Sequence, residues 1–375
     1  MFDVTTALRR LVEVGGSDLH LKAGAPALAR VDGLLRPLDP DTPVLEAADT
    51  ETAVHALLHD EVRRQELASD GEVDFAFSMA GVARFRINAF RQRGSLSLVC
   101  RAIPVSIKTI DELALPSVIR TLAEEERGIV LLTGTTGSGK STTLAAMIDH
   151  MNETTARHIV TIEDPIEFLH RDKRSAINQR EVGEDTASFK RAMRRVLRQD
   201  PDVILIGEMR DEETVHTALS AAETGHLVLS TVHTVDAPET VNRIIDFFPP
   251  HMHGQVRAML AGTLKGVVSQ RLVRSADGGR VATCEILRMT GRVRDMIMDP
   301  EKTGQLTEVV SEGGYYGMQT FDQALFHHVK AGRVSLEEAV KAATSPHDFK
   351  LLLAADGRKG TTMDDVAAVE ERRAA

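Results

Sequence analysis

The chain has 375 residues, 42% of them apolar, and a formal net charge of -10; that length predicts two or three domains, and the acidic balance argues against a surface built overall to wrap nucleic acid, while leaving room for local basic patches. Its two cysteines, Cys100 and Cys284, form no Cys-x-x-Cys pair, which excludes a tetracysteine zinc site and points to a reducing compartment. The N-terminal residues lack an apolar core of signal-peptide length and no stretch reaches the ~18 apolar residues that span a bilayer, so the expectation is a soluble, cytoplasmic chain that meets a membrane only through a partner.

In chain order, residues 1–100 read as a small α+β domain. "FDVTTALRRLVEVG" is an amphipathic helix ending at Gly15-Gly16, and "SDLHLKAG", "ALARVDGLLRPL", "VDFAFSM" and "ARFRINAFRQRG" read as short strands between turns. Residues 41–67 supply helices between them, and a connector with few strong signals occupies 101–111. From 112 the pattern changes. The helix "SVIRTLAEEERG" leads into the strand "IVLLTG", and "HIVTIED", "DVILIGE" and "HLVLSTVH" are further strands, most of them separated by helices such as "STTLAAMIDHMN" and "DTASFKRAMRRVLRQD". Strands alternating with helices predict a parallel sheet, hence an α/β domain over 112–355 whose part beyond about 285 is mostly helical. The polar, charged residues 356–375 are expected to be frayed or disordered.

The chemistry gathers at the strand ends. "GTTGSGKST", residues 134–142, fits G-x-x-x-x-G-K-[ST] in full, between an apolar strand and a helix, and that context separates a phosphate loop from a Gly-rich turn with a chance lysine. Gly134, Gly137 and Gly139 let the backbone N–H groups of the loop, which also contains Thr135, Thr136 and Ser138, turn toward phosphate oxygens. Lys140 reaches the β- and γ-phosphates of ATP, the Ser141 hydroxyl ligates Mg2+, and Thr142 continues the helix whose positive end faces the anion. "DPDVILIGEMRD" is a second apolar strand, expected beside the first; its exit acid, Glu208, is placed to hold the Mg2+ shell or polarise water. "TIEDPIEF" sets Glu163 and Asp164 at the end of a third strand, where they either activate the attacking water or cap a turn. In "TGHLVLSTVHT" a histidine stands at each end of a strand of the same sheet. His233, at the C-terminal end, should face the nucleotide; His226 opens the strand and is assigned to structure or an interface.

These boxes resemble a family closely. "GTTGSGKST", "TIEDPIEFLH", "DPDVILIGEMRD" and "ETGHLVLSTVHT" are similar, in order, to the Walker A, Asp, Walker B and His boxes of the secretion ATPases of type II secretion and type IV pili. "GSDLHLKAGAPALARVDGLLRPL", "RFRINAFRQRG" and "GMQTFDQALF" resemble the pilus-retraction subfamily, and the likeness covers residues 1 to about 350. Thr135 stands where the family usually has Pro, a position that contributes backbone, and "RVRDMIMD" matches the retraction signature only loosely. The resemblance implies a PAS-like N-terminal domain, a RecA-like P-loop ATPase domain with a helical extension, and a homohexamer that hydrolyses ATP with Mg2+. It further implies a motor at the inner face of the cytoplasmic membrane that powers pilus retraction, and so twitching motility, through an inner-membrane platform protein. Catalytic roles carry over to Glu163, Glu208 and His233.

Arg84, Arg86 and Asn88 share one face of their strand. Such arginines are either solvated or, as the family implies, reach a neighbouring subunit's nucleotide, with Arg91 and Arg93 as further candidates. Arg191, Arg194, Arg195 and Arg198 form a second stripe, a subunit contact or a solvated face. Pilus assembly or type II secretion is the competing function, set against the long N-terminal region and tetracysteine site those enzymes usually carry. A nucleic-acid motor is disfavoured by the net charge, and a non-catalytic scaffold by the intact Lys140, Glu163 and Glu208.

Overall fold

Alternation of apolar side chains builds the N-terminal part of the molecule, and unbroken apolar runs build the sheet that follows. A computed structural model of the chain describes residues 2–355 except 32, 104 and 105; the tail expected to be disordered, 356–375, lies outside the described residues. The chain divides into two compact units, residues 1–107 with 167–170, and residues 108–166 with 171 onward.

In the first unit the strands are β1 (Asp18–Lys22), β2 (Leu28–Val31), β3 (Leu34–Pro37), β4 (Glu72–Met79), β5 (Ala83–Gln92) and β6 (Ser95–Ile103). They form one antiparallel sheet in the order β3-β2-β1-β6-β5-β4. In β5 the period of two turns Phe85, Ile87 and Ala89 into the core and leaves Arg84, Arg86 and Asn88 on the other face. The helix Val4–Glu13 begins at Asp3, whose carboxylate accepts the Thr5 N–H, and buries Leu8 and Leu11. Strand β6 was not expected. It runs to Ile103, so the sheet extends three residues into the stretch read as a connector. Leu96, Leu98 and Cys100 alternate into the core and carry it there.

The second unit contains β7 (Gly128–Thr133), β8 (His158–Glu163), β9 (Ala176–Glu181), β10 (Val203–Ile206), β11 (Leu227–Val232), β12 (Leu264–Arg274) and β13 (Arg280–Arg288). The sheet order is β13-β12-β7-β11-β10-β8-β9, parallel throughout except for β13, which pairs antiparallel with β12. Every residue of β7, β10 and β11 is buried, as strands covered on both faces require. The expectation that β10 lies directly beside β7 is corrected: β11 stands between them, paired with both. The chain leaves β10, passes through the helix Glu212–Glu223 and inserts its next strand into the gap. The β12–β13 hairpin was also not foreseen, and it places β12 on the other flank of β7. Beyond β13 the chain is helical, as expected.

Burial separates positions whose loss matters from those where it does not. Ile204, fully buried in β10, should cost about 2–5 kcal/mol when changed to Ala. Leu34, 73% exposed on the edge strand β3, should change stability by less than ~0.5 kcal/mol when changed to Ala. Urea unfolding of the two variants checks the contrast.

Candidate active site

The carboxyl ends of the parallel strands bring the boxes side by side. The phosphate loop follows β7, His233 follows β11, Glu208 lies two residues beyond β10, and Glu163 closes β8. Reading across the sheet, the order is therefore loop, His233, Glu208, Glu163. With strands about 4.8 Å apart, Glu208 belongs to a strand about 10 Å from β7 and Glu163 to one about 14 Å away.

The loop turns on three glycines with positive φ: Gly134 (136°), Gly137 (78°) and Gly139 (92°). At two of them packing enforces the same choice. A Cβ on Gly134 would lie 2.4 Å from the Gln270 carbonyl oxygen, and one on Gly139 would lie 2.7 Å from Gln270 Nε2. Gln270, buried in β12, is the clamp of the loop. Its Nε2 donates to the Ser138 carbonyl at 2.9 Å, and its Oε1 accepts the Thr143 hydroxyl at 2.8 Å, joining the loop to the helix Lys140–Thr154. One residue earlier, Ser269 Oγ accepts from Thr133 Oγ1 at 2.9 Å. The Lys140 ammonium is buried and donates to the carbonyls of Gly134 (2.8 Å) and Thr135 (3.0 Å), so it is held over the loop rather than in solvent.

The residues present fit a triphosphate with a small hard cation. Ser138 Oγ is buried and finds no hydrogen-bond partner among the described residues, a position that a phosphate oxygen would satisfy. Beside Gly139, Thr142 and Thr143 opens a cleft of about 280 Å3, lined by Leu113, Leu272 and Val281 and by Arg280 and Arg333. Its apolar walls suit a nucleobase and its guanidinium groups suit the anionic part of a nucleotide. Among the described residues no group of three or more His, Cys, Asp or Glu could hold a metal by itself. A cation here would rest on a hydroxyl, a carboxylate and the phosphates, as Mg2+ does.

Glu208 forms an ion pair with Arg210 and lies 3.2 Å from His233 Nε2. A carboxylate only accepts, so Nε2 carries the hydrogen. Burial pushes the His233 imidazolium toward deprotonation, and the charges of Lys140 and Arg210 push it further, which keeps the ring neutral at pH 7. Glu163 Oε1 accepts from Thr161 Oγ1 at 2.7 Å and from Gln179 Nε2 at 3.3 Å, fixing its carboxylate at the sheet edge. His226 lies at the opposite end of β11, its Nδ1 3.0 Å from the Ala221 carbonyl at the end of the helix Glu212–Glu223.

The structure thus gathers the loop, Lys140, His233 and Glu208 and sets Glu163 beyond them. Arg84 and Arg86 belong to the first unit, on β5, and Arg86 stands opposite Arg101, whose charge pairs with Asp18 at 2.8 Å. In the basic stripe, Arg194 pairs with Glu213, while Arg198 lies past the end of the helix Phe189–Val196. Gln270, Ser269, Thr161 and Gln179 escaped the sequence reading. Arg210 lay inside a quoted box and carried the signal of a charge two residues from Glu208.

The parallel sheet, the strand-to-helix phosphate loop and the exit carboxylates define a P-loop nucleotide hydrolase of the RecA-like α/β class. Residues 3–341 match the model of the type II/IV secretion system protein family. The chain is 45% identical over 347 residues to the "Type IV pilus retractation ATPase PilT" of Pseudomonas aeruginosa, covering 92% of this chain and 100% of that protein. It is 47% identical over 317 residues to a "Twitching motility protein" of Neisseria gonorrhoeae, covering 84% of each. A crystal structure of the pilus retraction motor PilT with bound ADP superposes with a TM-score of 0.86 at 43% identity, covering 94% of this chain and 100% of that one. The chain belongs to the type II/IV secretion system protein family.

Removing the clamp should loosen the loop without touching a phosphate-binding group. Gln270→Ala is expected to weaken ATP binding about tenfold, ~1.4 kcal/mol, and to lower stability by about 1–3 kcal/mol, because the Thr143 hydroxyl and the Ser138 carbonyl lose a buried partner. Calorimetric titration with nucleotide and thermal unfolding check both; unchanged binding would remove Gln270 from the site.

Proposed function

We propose that this chain is the ATP-hydrolysing motor that retracts a type IV pilus, working as a homohexameric ring on an inner-membrane platform protein. The observation that carries the hydrolytic part is the row Lys140, His233, Glu208 and Arg210 along one sheet edge, beside a loop whose glycine turns and helix start suit phosphates. The similarity to retraction and twitching proteins supports the load. No helix among the described residues is long and apolar enough to cross a membrane.

In this reading the loop N–H groups and the start of the helix Lys140–Thr154 bind the phosphate chain. Lys140 exchanges the loop carbonyls for β- and γ-phosphate oxygens. The Ser141 hydroxyl and Glu208 would hold Mg2+, which when bound screens the phosphate charge. Glu208, the nearer carboxylate, orients the attacking water, and Glu163 holds its shell from the outer side. The neutral His233 links Glu208 to the γ-phosphate end, so a change there is felt at the β11 exit. Arg84 and Arg86, displayed by a different unit, are proposed to complete the site of a neighbouring copy, offsetting the charge that develops on the γ-phosphate.

Lys140→Ala should lose both tight ATP binding and turnover, the phosphates having lost their cation. Glu208→Gln should bind ATP within about threefold of wild type but hydrolyse it ~10²–10⁴ times more slowly; single-turnover assays separate the two outcomes, and normal hydrolysis by Glu208→Gln would end its assignment.

If arginines act between copies, mixing an Arg86→Ala chain with a Lys140→Ala chain should restore part of the activity that neither shows alone. The same test with Arg84, Arg91 and Arg93 identifies the acting residue, and a wild-type chain fully active as a monomer would overturn the shared site. Deleting the gene should leave cells with excess pili; bald cells would mean that the motor assembles pili.

A further inference from the structure

Glu285 is a buried carboxyl away from the phosphate loop and the row of exit residues. It lies on β13, 6% exposed, on the face that packs against the helix Ala237–Asp246, directly opposite Ser269 of β12. Its Oε1 accepts the backbone N–H of Ala237 at 3.0 Å. Ala237 opens that helix and is fully buried, so this N–H is one that neither the helix nor solvent can satisfy.

The segment between His233 and Ala237 is tied to the same helix turn. Asp236 accepts the Glu239 N–H at 2.8 Å, Glu239 accepts the Val235 N–H at 2.8 Å, and the buried hydroxyls of Thr234 and Thr240 meet at 2.7 Å. These contacts use local residues. The remaining donor, Ala237 N–H, is held from 48 residues away by Glu285. The carboxyl therefore connects two ends of the site. Through Ala237 it reaches the His233 loop; through its strand partner Ser269 it adjoins Thr133, the last residue before the phosphate loop.

We propose that Glu285 is a positioning residue for hydrolysis: its carboxylate fixes the first turn of the helix Ala237–Asp246 and thereby the loop that presents His233 to Glu208, and protonation of the carboxyl relaxes that loop. An ionised acceptor at a helix N-terminus makes a stronger bond than a neutral one and is favoured by the helix dipole. The charged groups that face it are Asp236 at the helix cap, Arg271 on β12 and Asp322 on the helix Phe321–Lys330. Burial raises its pKa from 4.5 to about 7; the Ala237 N–H and Arg271 oppose the rise, and Asp236 and Asp322 add to it. The switch from relaxed to fixed loop thus falls near neutral pH.

Two readouts test this on the full chain. First, kcat is measured against pH for wild type and Glu285→Gln, which keeps the shape and one acceptor oxygen but carries no charge. The two should coincide in acid, where wild type is protonated, and separate above pH 7, wild type becoming roughly fivefold faster, with KM for ATP unchanged because Glu285 does not line the nucleotide cleft. Second, thermal unfolding is followed over the same range. The folded state keeps the Glu285 proton that the unfolded chain releases, so between pH 4.5 and about 7 wild type should lose stability relative to Glu285→Gln as pH rises.

Curves of kcat offset by a constant factor, or coincident at every pH, overturn the proposal; so does a stability gap that widens with pH while the kcat ratio stays flat. Should Glu285→Gln fail to fold, Glu285→Asp takes its place: it keeps a titrating carboxyl and should keep an inflection in kcat, and a folded Asp variant without one has the same overturning force. The inference rests on the assignment of Glu208 and His233 to hydrolysis. A fault in that assignment shows separately, as full activity in Glu208→Gln, while the unfolding curves still report on Glu285.

Discussion

A phosphate loop has to be bare backbone and rigid at once, and in this protein the rigidity is supplied by Gln270. The loop cannot stiffen itself, because its glycines carry no side chains and its N–H groups must stay turned toward a ligand. One buried amide from β12 spans the gap, holding the Ser138 carbonyl on one side and the Thr143 hydroxyl on the other. It lies so close that a Cβ on Gly139 would sit 2.7 Å from its Nε2 and displace it. The position of β12 beside β7 is therefore as much a part of the nucleotide site as the loop.

The electrostatics of the site follow from the order of the strands. Because β11 lies between β7 and β10, His233 is the group between Lys140 and Glu208. Flanked by Lys140 and Arg210 and partly desolvated, its ring stays neutral and donates to Glu208. A neutral bridge transmits position without adding a third cation to the site. It also makes the β11 exit sensitive to whatever fixes the following helix, and there the contact from β13 enters.

The chemistry-bearing residues fall on two units. The second contains the whole row from the loop to Glu163, and the first presents arginines on a strand face turned away from its own core. Arg86 sits opposite Arg101, and the pairing of Arg101 with Asp18 limits the repulsion between the two guanidiniums. The β5 face can thus carry positive charge without unfolding the sheet.

The sequence by itself determined what depends on neighbours along the chain. Unbroken apolar runs marked β7, β10 and β11 as strands of a parallel sheet, and the glycine and lysine spacing after β7 fixed the loop. Strand polarity was enough to place Glu163, Glu208 and His233 at one edge and His226 at the other, and alternation in β5 put Arg84 and Arg86 on one face. The tertiary structure alone decided what depends on distant pairings. The insertion of β11 between β7 and β10 parts two strands expected to be neighbours, and β12 joins β7 across contacts as remote as Thr143 with Gln270, 127 residues apart. Gln270, Gln179 and Glu285 look in the sequence like ordinary polar residues of strands. Each acquires a role only through partners that the fold brings from other elements: Ser138 and Thr143 for Gln270, Glu163 for Gln179 and the Ala237 N–H for Glu285.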